Sequence, residues 1–250
     1  MRRIKLVGIR RSGNHAVLGW IADRNRGRVC FLNSVSTRRY QKRNERLNTL
    51  PSKNICKDLG KASLLLCGYE ELPLPAFQAH SVLPGLLKGP QTSVLLLRDP
   101  FNTFASRLKG IRNLKSTQRR FLPEDPDLCS PPPVSTLWKE YAKEYLGTTK
   151  KLGGRFVGVK YNSWFTDSDY RCELANVLGL KPSAESFERV SGFGFGSSFD
   201  RKSKDGEASK MNVLNRWEEF ADDPTYHKYF DDELLELSKE IFPHIEGPFS

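Results

Sequence analysis

The sequence is poor in cysteine and has no long hydrophobic run. Its five cysteines are odd in number and form no C-x-x-C pair, a pattern typical of reduced thiols rather than of a disulfide framework or a zinc site. No apolar run approaches the roughly 18 residues that span a membrane, and the first strand is expected by residue 4, which leaves no room for a signal peptide. We therefore expect a soluble, cytoplasmic protein that uses neither a metal nor a membrane. The cysteines are Cys30, Cys56, Cys67, Cys129 and Cys172.

Acidic residues are fewer than basic residues. The chain has 40 lysines and arginines against 29 aspartates and glutamates, a formal net charge of +11. This excess predicts an anionic partner, such as nucleic acid, a phosphorylated cofactor, or a sulfated or acidic acceptor. Nucleic acid is the least favoured of these, because the chain lacks the interleaved aromatic residues of a stacking platform. A length of 250 residues with 38% hydrophobic residues excludes a wholly disordered chain and favours one α/β domain over residues 1–250.

Short apolar runs alternate with helical patterns along the chain. The alternation predicts a three-layer α/β sandwich, in which helices flank a central, mostly parallel β-sheet. The expected strands are 4–7, 28–32, 62–67, 93–97 and 156–160; the expected helices are 17–21, 76–87, 101–108, 134–146, 169–178, 211–220 and 231–242; the expected loops are 37–46, 115–133 and 191–210. In such sheets ligands bind beyond the carboxyl ends of the strands. The residues expected at that edge are Arg11, Glu70, Glu71, Arg98 and Tyr161.

The first strand and the first helix are joined by a short polar turn, Arg10-Arg11-Ser12-Gly13-Asn14-His15. A turn of this kind directs free backbone N–H groups at one point beside a helix N-terminus, whose partial positive charge favours an anion. The two arginines add full charges. The turn is therefore a candidate cradle for phosphate or sulfate, with an ordinary β-α turn carrying solvated arginines as the alternative.

A second candidate anion site follows the strand at 93–97, where the sequence reads RDPFNTFAS. If a helix begins at Phe101, Ser106 lies in its second turn on the side that can face back to the strand end. The guanidinium of Arg98 and the Ser106 hydroxyl could then hold the same anion, a combination that suits a phosphate dianion. The alternative is an arginine that is salt-bridged to a helix and a serine that only packs.

Together, the loop RRSGNHA and the RDPFNTFAS segment, about 90 residues apart, resemble the two cofactor signatures of PAPS-dependent sulfotransferases. These signatures are a P-[KR]-S-G-T-T loop on the first strand-helix turn and an arginine followed eight residues later by a serine after a later strand. The segment VGVKYNSW resembles the family's Y-E-D-L segment, and GSSF, a basic loop and NRW resemble its C-terminal cofactor-covering region. The likeness touches most of the chain and implies the P-loop NTPase-like sulfotransferase fold.

The resemblance implies that the chain moves a sulfuryl group from PAPS to a hydroxyl or amine of an acceptor without a metal. The residues implied at the 5′-phosphosulfate are Arg11, Ser12, Gly13, Asn14 and His15, with Arg10 beside them. The residues implied at the 3′-phosphate are Arg98 and Ser106, covered by Arg201, Lys202 and Lys204, and Tyr161 is implied near the adenosine. The chain departs from the family where Asn14-His15 replaces two threonines and where the Y-E-D-L segment reads Tyr161-Asn162-Ser163-Trp164.

Transfer to a hydroxyl also needs a base, and the sequence leaves several candidates open. Glu70 and Glu71 directly follow the middle strand, and His80 lies on the helix expected after it. His15 could contribute from within the loop. Arg11 is the residue expected to stabilise the charge that develops on the transferred group.

Two other functions remain open at this point. A P-loop kinase or NTPase would need G-x-x-x-x-G-K-[ST]; Gly8 and Gly13 have that spacing, but Asn14-His15 stands where lysine and serine or threonine belong, although Asp99 could mimic a Walker B aspartate. A basic, non-catalytic anion-binding protein would use the same loop only to hold an anion. The acceptor is expected to contact loops at 34–60 and 113–134, whose sequences permit anything from a small metabolite to a saccharide.

Overall fold

A five-stranded, fully parallel β-sheet forms the centre of the chain. The computed structural model describes residues 1–33, 35, 60–80, 89–113, 133–183, 185, 187–190, 197, 199–200 and 202–249. The strands are β1 (Arg2–Gly8), β2 (Val29–Leu32), β3 (Leu64–Glu70), β4 (Gln91–Leu97) and β5 (Arg155–Lys160), arranged in the order β2-β3-β1-β4-β5. The parallel sheet expected from the sequence is confirmed.

Helices lie between and after the strands. They are α1 (Asn14–Arg24), α2 (Leu74–Ala79), α3 (Pro100–Arg112), α4 (Val134–Tyr145), α5 (Tyr161–Thr166), α6 (Ser168–Val177), α7 (Pro224–His227) and α8 (Asp232–Ile241), with 3₁₀ helices at Ala208–Lys210 and Arg216–Phe220. Within the described ranges, no helix is both long and apolar enough to cross a membrane.

Both faces of the sheet are covered, as the continuous apolar run of β4 predicts. Successive side chains of a strand point to opposite faces. Val94 and Leu96 pack in a cluster with residues of α1, α5 and α6, whereas Leu95 and Leu97 pack in a second cluster with residues of α3, α4 and α8. Four side chains of one strand thus reach two separate cores, which establishes the three-layer arrangement.

The chain reverses its direction of travel across the sheet at β1. From β1 it passes outward to β2, returns to β3, and then crosses to β4 on the other side of β1. In open parallel sheets ligands bind at such a switch point, beyond the carboxyl ends of the strands. The ends of β1, β3 and β4 are therefore the place to look for a site.

Several expected element boundaries are wrong. The strand expected at 62–67 continues through Glu70, because the residues up to Tyr69 are also buried between the two helical layers. The helix expected at 76–87 is α2, which begins at Leu74 with Pro75 in its first turn, where proline is tolerated. His80 is the C-cap of α2 rather than a residue within it.

The C-terminal part also differs from the expectation. The segment expected as a helix over 211–220 is irregular until a 3₁₀ helix begins at Arg216, because residues of this segment turn inward to bond to the end of β4 and to α3. The loop expected at 191–210 is described in part and contains one 3₁₀ turn. The loop expected at 37–46, and the loop expected at 115–133 except for Pro133, lie outside the described residues.

A buried aspartate fixes the junction between the sheet and two helices. Asp99 caps α3: its Oδ1 accepts from the N–H of Asn102 at 2.8 Å and from the Asn102 side chain at 2.9 Å. Its Oδ2 accepts from Asn162 Nδ2 at 2.8 Å, and its own N–H donates to Asn162 Oδ1 at 3.2 Å. Because Asn162 lies on α5, this network joins β4 to both α3 and α5.

Replacing Asp99 by alanine should lower the free energy of unfolding by about 3 kcal/mol or more, since it removes a helix cap and takes away the carboxylate that accepts from the buried side-chain amides of Asn102 and Asn162. Asp167 caps α6 in the same way but is exposed. Asp167→Ala is therefore the matched control, with an expected loss of about 1 kcal/mol. Urea unfolding measures both, and equal losses would contradict the role given to the buried network.

Candidate functional site

The turn after β1 has a backbone shape suited to an anion. Ser12 donates its N–H to the Ile9 carbonyl at 3.1 Å, and Gly13, the N-cap of α1, accepts from the N–H of Val17 at 3.2 Å. Arg11 and Gly13 have left-handed φ values of 73° and 91°, which bend the chain sharply into the helix. The first backbone amides of α1 face the space beyond the strand ends, as at other helix N-termini that bind phosphate.

Two glycines are required by close contacts around this turn. A Cβ on Gly8 would lie 2.1 Å from the side-chain oxygen of Asn14, and a Cβ on Gly13 would lie 2.1 Å from the ring of Tyr161. The buried Asn14 side chain donates to the Ile9 carbonyl at 2.9 Å and to Glu70 Oε1 at 3.3 Å. Asn14 therefore stabilises the turn through the hydrogen bonds of its side chain, and the Tyr161 ring packs against Gly13.

Arg98 connects this turn to the second predicted anion site. It lies at the end of β4 with 1% of its surface exposed, and its Nη1 donates to the Arg11 carbonyl at 3.1 Å and to Ser106 Oγ at 3.3 Å. Its Nη2 donates to the Val213 carbonyl, and its guanidinium lies 5.2 Å from the centre of the Tyr161 ring. Burial lowers the pKa of Arg98. The sequence prediction that Arg98 and Ser106 approach each other is confirmed.

A second buried arginine, Arg216, reaches the same serine. Its Nη1 donates to Ser106 Oγ at 3.2 Å, and its Nη2 donates to Ser197 Oγ at 2.9 Å and to Asp200 Oδ2 at 3.2 Å. Burial, with the Arg98 charge second, lowers the pKa of Arg216 to about 10. The Nε–H groups of both arginines have no acceptor among the described residues, which is unusual for buried donors.

The carboxylates of Glu70 and Glu71, at the end of β3, form ion pairs with Arg10 of the turn. Arg10 lies 3.5 Å (Nε) from Glu70 Oε2 and 3.4 Å (Nη2) from Glu71 Oε2, with its own side chain 54% exposed. Glu71 also accepts from Arg107, which is buried. Glu71 is thus held between two arginines, whereas Glu70 is held by Arg10 and the Asn14 amide.

His80 lies away from these groups. Its Nδ1 is 2.9 Å from the Tyr69 hydroxyl, and its backbone carbonyl accepts from Lys5 Nζ at 2.7 Å. Burial, with the Lys5 charge second, lowers the pKa of His80. His80 therefore belongs to the packing beneath α2, on the side of the sheet that Tyr69 faces.

The turn, the end of β3, α5 and the C-terminal segments enclose a cavity of about 380 Å³, a size typical of small-molecule sites. The predicted residues that line it are Arg10, Arg11, Gly13, Asn14, His15, Glu70, Arg98 and Tyr161. His15 is fixed at the rim, where its Nε2 lies 3.1 Å from Asn33 Oδ1. The cavity therefore brings together most of the residues on which the sequence argument depends.

Other predicted residues lie behind or outside the lining. Ser12 and Ser106 are buried and do not line the cavity. Ser106 accepts from Arg98 and Arg216, which do line it, and Ser12 lies between the lining residues Arg11 and Gly13 in the turn. The residues outside the lining are Glu71, His80, Lys202 and Lys204, and Arg201 lies outside the described residues. Arg216 and Arg189 line the cavity although the sequence argument did not select them. The NRW tripeptide was the only signal for Arg216, and it predicted a covering segment rather than a buried donor.

The lining combines arginines with aromatic rings. Five arginines line the cavity against one glutamate, Glu70. The rings of Tyr161, Trp164, Phe165 and Phe187 also line the cavity, and the Arg98 guanidinium lies over the Tyr161 ring. Across the described residues, no group of three or more His, Cys, Asp or Glu side chains could hold a metal ion. The arginines and the aromatic rings of the lining fit a ligand with a planar ring and more than one anionic group.

Comparisons with known proteins bear on the fold. No protein-family model matches the chain, and no curated protein matches it. Among solved structures, the sulfotransferase domain of the Synechococcus PCC 7002 olefin synthase aligns with a TM-score of 0.55 and 12% identity, covering 96% of this chain and 94% of that chain. Mouse sulfotransferase SULT7A1 complexed with PAP aligns with a TM-score of 0.44 and 12% identity, covering 96% and 84%. On the first of these matches, the chain has the α/β fold of a sulfotransferase domain over nearly its whole length.

Proposed function

We propose that the chain is a sulfotransferase that moves a sulfuryl group from PAPS to a hydroxyl or amine of an acceptor. One observation carries the proposal: Arg98 donates to the Arg11 carbonyl of the turn and to Ser106. Two candidate anion sites, far apart in the sequence, thus meet in one cavity through a single guanidinium. A nucleotide with phosphates at both its 3′ and 5′ positions needs two such sites.

The lining supports a specific orientation of that nucleotide. The amides of the turn and Arg11 would hold the 5′-phosphosulfate, as the resemblance implies. Arg98, with Ser106 behind it, would hold the 3′-phosphate. Aromatic rings of the lining, such as Trp164 and Phe187, would hold the adenine, because flat rings favour stacking on aromatic side chains.

The chemistry asked of the protein is positioning and electrostatic stabilisation. When bound, PAPS supplies an activated sulfuryl group whose leaving group is a phosphate. Arg11 and the backbone amides of the turn would stabilise the charge that develops on the bridging and sulfuryl oxygens. The acceptor oxygen or nitrogen would form the new bond to sulfur, the bond between sulfur and the bridging oxygen would break with its electron pair leaving on PAP, and the acceptor proton would pass to a base.

Glu70 is the base that the geometry favours. Of the candidates left open by the sequence, Glu70 and His15 line the cavity, whereas Glu71 is paired with buried Arg107 and His80 contacts Tyr69 outside the lining. His15 belongs to the turn that would hold the phosphosulfate, which leaves Glu70 as the preferred base. The side chain of Glu70 lies beside the Arg10–His15 turn, where an acceptor must approach the sulfuryl group. Arg10 and Asn14 hold its carboxylate in place.

The alternative functions are less well supported. A P-loop kinase lacks its lysine at this turn, and the carboxylate of Asp99 is already bonded to Asn102 and Asn162. A non-catalytic anion-binding protein would need neither the Glu70 carboxylate nor the aromatic rings in the cavity lining. Ligand binding separates these possibilities directly.

Adenosine 3′,5′-bisphosphate should raise the melting temperature of the protein strongly. A ligand at 100 times its dissociation constant stabilises by about 2.7 kcal/mol, which corresponds to about 5 °C or more for a chain of this size. ATP with Mg²⁺ at the same concentration is the control and should give a smaller shift. A larger shift with ATP and Mg²⁺, or no shift with either, would contradict the proposal.

Substitutions at the two anion sites should separate binding from transfer. Arg98→Lys keeps the charge but loses the guanidinium fork, so the dissociation constant for adenosine 3′,5′-bisphosphate should rise about 10-fold or more. Arg11→Ala should change that constant less and slow transfer of labelled sulfate, to the acceptor found in a screen, by about 100-fold. If the two variants exchange these effects, the assigned roles are wrong.

Glu70→Gln should slow labelled sulfate transfer by about 100-fold or more, because the amide cannot take the acceptor proton. Glu71→Gln is the matched variant, one residue along, and should reduce the rate less. Binding of adenosine 3′,5′-bisphosphate, measured by titration calorimetry, should change little in Glu70→Gln. A larger loss of rate in Glu71→Gln than in Glu70→Gln would reassign the base.

A further inference from the structure

The cavity has polar groups on two different sides of the turn after β1. In the sheet order β2-β3-β1-β4-β5, Arg98 follows the end of β4, whereas Glu70 and Asn33 stand at the ends of β3 and β2. All three residues line the cavity. Because β1 separates β3 from β4, the proposed base Glu70 emerges from the sheet on the opposite side of β1 from Arg98. An acceptor that gives its proton to Glu70 must therefore approach from the β2–β3 side.

Arg10 brings a full positive charge to that side of the cavity. Its Nε lies 3.5 Å from Glu70 Oε2, and its Nη2 lies 3.4 Å from Glu71 Oε2. It lines the cavity, and its side chain is 54% exposed, whereas Arg98 is buried. Arg10 is therefore open to a molecule that enters from solvent beside the proposed base.

We propose that Arg10 binds an anionic group of the acceptor, so that the substrate is a hydroxyl or amine compound which also carries a carboxylate or a sulfate ester near the reacting atom. The inference rests on the proposed function and deepens it by naming the chemical class of the acceptor. Arg10 is then a specificity-determining residue for the acceptor, outside the nucleotide contacts.

The donors of Arg10 are not taken up by the two glutamates. An arginine carries five N–H donors in a planar fork, and within the part of the chain that the structure describes, the contacts of this guanidinium are two ion pairs of 3.4 and 3.5 Å. Charge-assisted hydrogen bonds are typically shorter, about 2.7–2.9 Å. Exposed ion pairs of this kind contribute little to stability. Arg10 can therefore donate to a further oxyanion while it stays beside Glu70.

Both glutamates have other partners that keep them in place. Glu71 accepts from buried Arg107, and its own side chain is only 6% exposed. Glu70 Oε1 accepts from Asn14 Nδ2 at 3.3 Å. Because neither carboxylate depends on Arg10 alone for its position, Arg10 can turn toward a ligand without displacing the proposed base.

The charge of the protein also favours an anionic acceptor. The chain carries 40 lysines and arginines against 29 aspartates and glutamates, a balance that attracts anions. The proposed nucleotide contacts already use Arg11 and Arg98 of the lining, so they do not need the charge of Arg10. A cationic acceptor would meet repulsion from Arg10 beside the base, and such repulsion is a source of specificity.

Ligand-observed NMR titration of the protein saturated with adenosine 3′,5′-bisphosphate tests the proposal with two series of hydroxyl compounds. One series compares galactose with galacturonic acid and galactose 6-sulfate, and the other compares 4-hydroxyphenylacetamide with 4-hydroxyphenylacetate. In at least one series an anionic member should bind about 10-fold or more tightly than the neutral member, because it gains a charge-assisted hydrogen bond. The galactose series also shows whether the carboxylate or the sulfate ester is preferred.

Substitution of Arg10 should remove this preference. In Arg10→Gln the anionic and neutral members should bind about equally, and Arg10→Lys should keep part of the preference because it keeps the charge without the fork. The affinity for adenosine 3′,5′-bisphosphate should change by less than about 3-fold in Arg10→Gln. The matched control is Arg112→Gln, an arginine that is 45% exposed and paired with Asp223 outside the lining, and it should keep the full preference.

Each outcome decides between these assignments. If the wild type binds the bisphosphate but prefers no anionic member in either series, the inferred acceptor class is wrong. If the preference survives in Arg10→Gln, another residue recognises the anion. If Arg10→Gln weakens bisphosphate binding by about 10-fold or more, Arg10 belongs to the nucleotide site and the inference is wrong. If the wild type does not bind the bisphosphate, the proposed function itself fails, and the inference fails with it.

Discussion

The site depends on the burial of one positive charge. Arg98 is almost completely buried at the end of β4, where an uncompensated charge costs several kcal/mol. The fold compensates with acceptors from three parts of the chain: the carbonyl of Arg11, the hydroxyl of Ser106 and the carbonyl of Val213. The backbone of Arg98 is fixed as well, since its carbonyl accepts from the indole of Trp138 at 2.9 Å. Because each partner must lie within hydrogen-bonding distance, one guanidinium sets the relative positions of the turn, α3 and the C-terminal segment.

The electrostatics of the cavity follow from that arrangement. The carboxylate next to Arg98, Asp99, is committed to capping α3 and holding Asn162, so it contributes to the local charge balance but cannot leave. Arg216 adds a second buried charge against a partly exposed carboxylate. The lining therefore has an excess of cationic donors and also contains flat aromatic rings. The combination supports the proposal of a small, doubly anionic nucleotide rather than a long polyanion such as nucleic acid.

Much of this could be predicted from local sequence. Apolar runs such as 93–97 predict buried strands because their side chains reach two cores, and Arg98 and Ser106 could be paired because eight residues of strand end and helix fix their geometry. Helix bounds were less predictable: α2 ends at Ala79, and the 211–215 segment follows long-range bonds instead of its helical pattern. Arg216 was missed for the same reason, since its contact with Ser106 joins residues 110 positions apart. The competing roles of Glu70 and Glu71 could not be separated either, because the pairing of Glu71 with Arg107 depends on how α3 packs against the end of β3.

The central claim is that two anion sites converge, through Arg98, on a single nucleotide. A crystal structure of the protein with adenosine 3′,5′-bisphosphate tests it most directly. The account predicts the 5′-phosphate on the backbone amides of the Arg11–His15 turn and the 3′-phosphate within hydrogen-bonding distance of the Arg98 and Arg216 guanidinium groups. A nucleotide bound elsewhere, or bound with its 3′-phosphate in solvent and Arg98 untouched, would contradict the account.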